Sequence, residues 1–253
     1  MTIFTSIRSQ LPEPLRRRLR PAVIAYHRLR TLLRRRRRRL TRVTARHYHS
    51  LRHSRSYATT LTDVRTRDQL PLLLNKRGLT GTAVEIGVQR GRYSEFLLSE
   101  WHGNRLISVD PWREAPGEDY VDRANVAQLE QDRCYDETLR RLRRFGTRSS
   151  VWRMTSIEAA TRVDDASLDF AYIDARHDYA SVLEDLETWW LKMRPGGIIA
   201  GHDYADGDLP NGVFGVKSAV DTFFGKLELP VHATAGRPHS VESFPSWIVE
   251  VGT

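Results

Sequence analysis

The chain has 253 residues, with 40 Lys and Arg against 31 Asp and Glu and a formal charge of +9, which is length enough for one sizeable α/β core and an appendage. Its one cysteine, Cys134, excludes an intrachain disulfide framework and fits a reducing compartment, and no apolar run approaches the ~18 residues of a membrane span. The charge is split unevenly: residues 1–60 hold seventeen Arg, no Lys and a single acid, Glu13, about +16, which leaves the rest near −7.

The expected organisation is therefore a basic tail, residues 1–60, and a globular domain, residues 61–253. In the tail, Arg34 to Arg39 run unbroken and leucines are mixed with arginines elsewhere. Partly helical or disordered structure is expected there, without a compact core. Such a segment adheres to polyanions, an anionic membrane surface or nucleic acid, without naming one. It reads equally as a leader with no partner. The N-terminus shows no signal-peptide apolar core, so the expected location is cytoplasmic, or peripheral at the inner membrane surface.

Past Asp63 a short helix is expected over Arg67–Lys76, closed by Gly78. Strands follow at Thr82–Gly87, Arg105–Asp110, Ser150–Met154, Leu168–Asp174, Gly197–Gly201, Val231–Ala235 and Trp247–Val251. Between them helices are expected near Gly91–Trp101, Val121–Phe145, Ile157–Thr161, Tyr179–Met193 and Val213–Gly225. Regular alternation predicts a doubly wound, Rossmann-like α/β fold: seven strands, mainly parallel, with an antiparallel pair at the edge because no helix separates the last two. Gly207–Gly215 reads as a mobile loop.

In such a sheet ligands lie outside the carboxyl ends of the strands. Those ends carry Glu85, Asp110, Asp174 and the pair His202-Asp203. Any one of these acids is a good helix or loop cap, but all together they imply a ligand. The first turn, Glu85-x-Gly87-x-x-x-Gly91, lacks the third glycine of a dinucleotide fingerprint and puts a carboxylate where a pyrophosphate would be repelled. A cationic ligand with an amino group and a ribose suits Glu85 and Asp110 better. S-adenosylmethionine has both features.

The segment Arg67 to Val251 resembles the class I S-adenosylmethionine-dependent methyltransferases. Glu85-Ile86-Gly87-Val88-Gln89-Arg90-Gly91 is similar to their first motif and Ser108-Val109-Asp110-Pro111-Trp112 to the ribose-binding acid. The resemblance implies cofactor contacts at Glu85, Gly87, Val88, Gln89, Gly91, Asp110 and Pro111, at Thr155 and Ser156 beside the adenine, and at Asp174. Many members carry an acid near Thr155 that this chain lacks. Ile173-Asp174-Ala175-Arg176-His177 and Gly201-His202-Asp203-Tyr204 look like the small-molecule branch, the catechol-type and macrolide-sugar O-methyltransferases. That branch implies a divalent metal on Asp174, His202 and Asp203, and His177 as the base that takes the hydroxyl proton. His202 departs from the oxygen-only sets that suit Mg²⁺ and favours Mn²⁺, Fe²⁺ or Zn²⁺. A metal-free site, with Asp174 on the cofactor and His202-Asp203 on substrate, is the alternative.

The leading expectation is thus an O-methyltransferase for a small hydroxylated molecule or glycan. A nucleic-acid methyltransferase using the tail, a non-enzymatic Arg-rich binding module on the same fold, and a dehydrogenase stand behind it. Oligomeric state, a homo-oligomer included, is left open.

Overall fold

The computed structural model describes residues 60–115, 124–209, 212–235 and 244–252. The Arg-rich tail and its expected helices lie outside the described residues. Two 3₁₀ turns, Leu61–Asp63 and Arg67–Gln69, lead into α1 (Leu70–Lys76), which ends before Gly78 at φ +67°. Then follow β1 (Thr82–Ile86), α2 (Arg92–Glu100), β2 (Arg105–Asp110), α3 (Gln128–Leu142), β3 (Ser149–Arg153), α4 (Ser156–Ala160), β4 (Leu168–Ile173), α5 (Tyr179–Trp190) and β5 (Met193–Gly201). A hairpin of β6 (Asp206–Leu209) and β7 (Gly212–Gly215), then α6 (Val216–Lys226), β8 (His232–Ala233) and β9 (Trp247–Glu250), complete the domain.

The sheet has seven strands in the order β3-β2-β1-β4-β5-β9-β8. The first five run parallel, while β9 is antiparallel to β5 and pairs with the short edge strand β8. This is the doubly wound sheet that the alternation predicts. Strand periodicity sorts its residues onto two faces. Val84, Ile86, Ile107, Val109, Ala171, Ile173 and Ile199 meet Leu186 and Trp189 of α5 and Val220 and Phe224 of α6. Ala83, Leu106, Phe170, Tyr172 and Ala200 meet Leu70 and Leu73 of α1 and Leu97 of α2, with Trp101 beyond it. All six residues of β4 are buried, as expected of a central strand covered on both faces.

Strand order reverses between β1 and β4, so the crevice at their carboxyl ends is the place where a ligand fits. Gly87 is needed there. Its φ is +86°, and a Cβ on it would stand 2.0 Å from the Asp174 carbonyl oxygen. Asp174 N–H in turn donates to Ile86 O at 2.7 Å, which sews the two strand ends together.

Four expectations need correction. Gly207–Gly215 is not an irregular loop, since most of it forms the β6–β7 hairpin; residues 210 and 211 lie outside the described residues. The residues of β7 are withdrawn from the following helix, which begins at Val216 rather than Val213. The helix expected over Val121–Phe145 is α3, shorter at both ends among the described residues, and passes into a 3₁₀ segment, Arg143–Arg148, interrupted at Gly146 with φ +57°. β5 starts at Met193, four residues earlier than expected, because its N-terminal half pairs with β4 through an irregular register.

Candidate functional site

The turn after β1 is held from β2. Asp110 Oδ2 accepts from the backbone N–H of Val88 and of Gln89, both at 2.9 Å, and Oδ1 accepts from Trp112 N–H at 2.7 Å. Three charge-assisted bonds to one carboxylate make Asp110 a clamp on both loops. Oδ2 has spent two lone pairs, whereas Oδ1 has one to spare. The rest of the turn is fixed by Trp112 Nε1–H, which donates to Gln89 O at 2.7 Å, and by Thr138 Oγ1, which donates to the same oxygen at 3.2 Å. Gln89 takes φ +51° to make this possible. Gly91 starts α2 at φ +67°, and a Cβ there would meet Thr138 Cγ2 at 2.9 Å.

Glu85 lies one residue inside the turn and is 2% exposed. Its carboxyl accepts from Ser94 Oγ, to which Ser108 Oγ donates at 3.0 Å. Burial pushes its pKa up to about 8, against the pull of the Ser94 hydroxyl, so the group is protonated at neutral pH. Thr155 and Ser156 are engaged locally. Thr155 caps α4, accepting from Glu158 N–H at 3.3 Å. Ser156 Oγ donates to buried Asp185 and accepts from Trp189 Nε1–H at 2.8 Å.

The ends of β4 and β5 bring the other predicted residues together. Asp203, at φ +52°, turns its carboxylate between two imidazoles. Its Oδ2 is 3.0 Å from His177 Nε2 and its Oδ1 is 2.7 Å from His202 Nδ1. Burial alone would raise the pKa of Asp203, but the hydrogen bonds from His177 and His202 outweigh it and hold the carboxyl well below the usual range. Asp174 Oδ1 stands 4.0 Å from His202 Nδ1. Asp174, His177 and Asp203 each offer a ligand atom, all within 4.8 Å of one another. The sequence grouped His202 with the two acids; this trio has His177 beside them, and His202 Nδ1 also lies near both carboxylates. Two carboxylates and an imidazole are a donor set that suits a borderline divalent ion. A small open pocket adjoins the cluster, lined by Ile173, His177, His202, Val216 and Trp247 among others.

Two residues at this site went unread in the sequence. Phe214 of β7 stacks on the His177 ring at 4.5 Å and 7°, while Gly215 N–H donates to His177 O at 2.8 Å. Asn211-Gly212 ahead of alternating Val213 and Phe214 was the signal for this hairpin. Arg67, upstream of β1, places its Nη1 3.4 Å from Asp174 Oδ2. Nothing in the sequence distinguishes this arginine from its neighbours.

A family model described as a methyltransferase domain matches residues 84–204, the stretch from β1 to the end of the β5 cluster. The matched stretch is just under half of the chain. Solved structures agree on the fold. The O-methyltransferase TomG from Streptomyces achromogenes is 18% identical, with a TM-score of 0.51 over 74% of this chain and 79% of its own. A protein from Clostridium thermocellum, provisionally assigned as an rRNA methylase, is 16% identical, with a TM-score of 0.53 over 73% and 94%. The N-methyltransferase NodS from Bradyrhizobium japonicum is 15% identical, with a TM-score of 0.50 over 74% and 95%. The domain thus has the class I, Rossmann-like methyltransferase fold, which serves oxygen, nitrogen and RNA acceptors among these neighbours, so the fold does not choose an acceptor. An uncharacterized protein of Sinorhizobium fredii, y4gI, is 27% identical over 124 residues, and the alignment spans 47% of this chain but only 13% of that protein. Among the described residues no helix is long and apolar enough to cross a membrane.

Proposed function

We infer that this chain transfers the methyl group of S-adenosylmethionine to a hydroxyl oxygen of a small molecule or glycan. The observation that carries the reading is the His177–Asp203–His202 array beside Asp174, set next to the glycine turn of a methyltransferase domain. The Asp110 clamp supports the cofactor. It consumes the two N–H groups that a pyrophosphate would need and places a carboxylate there, which disfavours a dinucleotide, while Oδ1 retains a lone pair for a ribose hydroxyl. TomG, of the same fold, is known in complex with S-adenosylmethionine. When bound, that molecule supplies an electrophilic methyl on a sulfonium.

The chain's own part is to hold the acceptor and take its proton. With Nε2–H donating to Asp203, Nδ1 is the basic nitrogen of His177, and stacking on Phe214 fixes the ring plane. Asp174 and Asp203, with either imidazole, would hold a divalent ion that lowers the hydroxyl's pKa. Val88, Gln89, Gly91, Pro111, Thr155 and Ser156 stay in the proposal as the cofactor's surroundings. The Arg-rich segment would hold the enzyme at an anionic surface.

Calorimetric titration of S-adenosylmethionine into the chain, without metal and then with Mg²⁺ or Mn²⁺, tests this reading. Saturable binding is expected, and its absence in folded protein overturns the cofactor. A His177→Ala chain that still binds Mn²⁺ but no longer methylates marks the base; one that loses Mn²⁺ marks a ligand. The Arg-rich segment favours a nucleic-acid acceptor as the second reading. Removing residues 1–55 separates the two, because RNA methylation would be lost with a steep salt dependence and small-molecule turnover would be retained.

A further inference from the structure

Arg67 lies outside the stretch that matches the methyltransferase model, yet it is built into the same crevice. The backbone at Arg67 and two residues before it is fastened at three points. Tyr93 Oη donates to Arg67 O at 3.2 Å, the Gln69 side chain accepts from Arg65 N–H at 2.6 Å, and Ala235 N–H donates to Arg65 O at 3.1 Å. The guanidinium then lies over the Tyr93 ring, 4.8 Å from its centroid, and points at Asp174. Stacking and planarity fix a guanidinium better than an ammonium in such a place.

The contact with Asp174 is long for an arginine–carboxylate pair, 3.4 Å through one nitrogen, where a closed bidentate pair lies near 2.8 Å. Both side chains remain open to solvent, 28% and 25%. Of the other acids close by, Asp203 is taken up by His177 and His202 and buried Glu85 by Ser94, so the pair left facing a ligand is the Arg67 guanidinium and the Asp174 carboxylate. Asp174 also abuts Gly87 through its carbonyl oxygen, so the pair borders the glycine turn. A positive and a negative group, fixed side by side, half-satisfied and reachable, are complementary to a zwitterion.

We propose that Arg67 and Asp174 together receive the amino-acid end of the cofactor, with Arg67 on its α-carboxylate and Asp174 on its α-ammonium. This rests on the cofactor reading above. Binding exchanges one weak internal pair for two charge-assisted contacts, and the carboxylate can take the guanidinium bidentately. Asp174 Oδ2 serves this role and Oδ1, toward His202, is left for the metal or the acceptor.

The test compares ligands on the full chain by calorimetry: S-adenosylhomocysteine, its analogue lacking only the α-carboxylate, and 5′-methylthioadenosine, which lacks the whole amino-acid end. For the natural chain, deleting the carboxylate is expected to weaken binding about 10- to 100-fold, the range of a charged hydrogen bond. Arg67→Met keeps an apolar stem over Tyr93 and removes the charge. It should weaken S-adenosylhomocysteine by the same factor and leave 5′-methylthioadenosine within about twofold. Arg67→Lys should recover part of the loss.

An equal loss for both ligands in Arg67→Met would assign Arg67 a structural role and overturn the proposal. So would a carboxylate-free analogue that binds the natural chain as tightly as S-adenosylhomocysteine, a comparison needing no variant. A folded natural chain that binds none of the three overturns the cofactor reading itself and this inference with it.

Discussion

The glycine turn after β1 and the acid–imidazole cluster at the ends of β4 and β5 share one crevice but are built on opposite principles. In the turn, main chain is held by main chain and by side chains that serve it, one carboxylate above all. Gly87 fits where no Cβ can, and Asp110 takes three backbone N–H groups. In the cluster, side chains hold side chains: Asp203 lies between His177 and His202, and Phe214 lies on His177. The first arrangement is already satisfied and gives shape. The second keeps ionisable groups poised against one another, and gives chemistry. Stability should therefore be concentrated in the turn and activity in the cluster.

Gly87→Ala tests the turn most severely. With φ +86° and a Cβ driven to 2.0 Å from the Asp174 carbonyl, β1 and β4 must part. The expected loss is roughly 3 kcal/mol or more, read by urea denaturation. An alanine variant within 1 kcal/mol, roughly the effect of an ordinary substitution, would break the contrast. His177→Ala is the counterpart in the cluster. Methyl transfer, to an acceptor found by screening hydroxylated small molecules, should fall about 10²- to 10⁴-fold. Stability should change by only about 1 kcal/mol. A variant that keeps its turnover would remove His177 as the base. Asp110→Ala comes next, at roughly 2–3 kcal/mol, since it strands the N–H groups of Val88, Gln89 and Trp112. Asp110→Asn, which keeps an acceptor oxygen, should cost less.

The same contrast explains what the sequence disclosed. Strand order and the glycine turn were legible because they depend on apolar periodicity and on positions only glycine fills comfortably. Asp174, His177, His202 and Asp203 were legible as a set because strand ends converge in any doubly wound sheet. Their pairing was not, since it depends on the positive φ of Asp203 and on which way each ring turns. Thus His177 as well as His202 lies against the Asp174 and Asp203 carboxylates. Arg67 was invisible because its place follows from the path of the chain before β1, set by Gln69 and Tyr93. The β6–β7 hairpin was missed for another reason. Asp206-Gly207-Asp208-Leu209-Pro210-Asn211-Gly212 is rich in turn formers, and that composition outweighed the Asn-Gly signal.

The smallest effect expected separates the two regions by sign. Glu85, beneath the turn, has a folded pKa raised to about 8 by burial, against about 4.3 in an unfolded chain. The folded state therefore binds the extra proton. Its contribution to stability is full below the unfolded value and is lost as the pH rises toward 8. Asp203 behaves in the opposite sense. Its folded pKa is depressed by His177 and His202, so its contribution is present above the unfolded carboxylate pKa and is lost as the pH falls below it. Denaturation between pH 2 and 9 should show stability declining on the alkaline side through Glu85 and on the acid side through Asp203. Glu85→Gln, neutral at every pH, should flatten that slope and leave the acid-side loss in place. Asp203→Asn should do the reverse, weakening the acid-side loss and leaving the alkaline decline. If Glu85→Gln left the alkaline slope unchanged, the buried carboxyl would already be ionised at neutral pH. The turn would then hold a charge of its own, and the division between a shape-giving turn and a charge-bearing cluster would fail at Glu85.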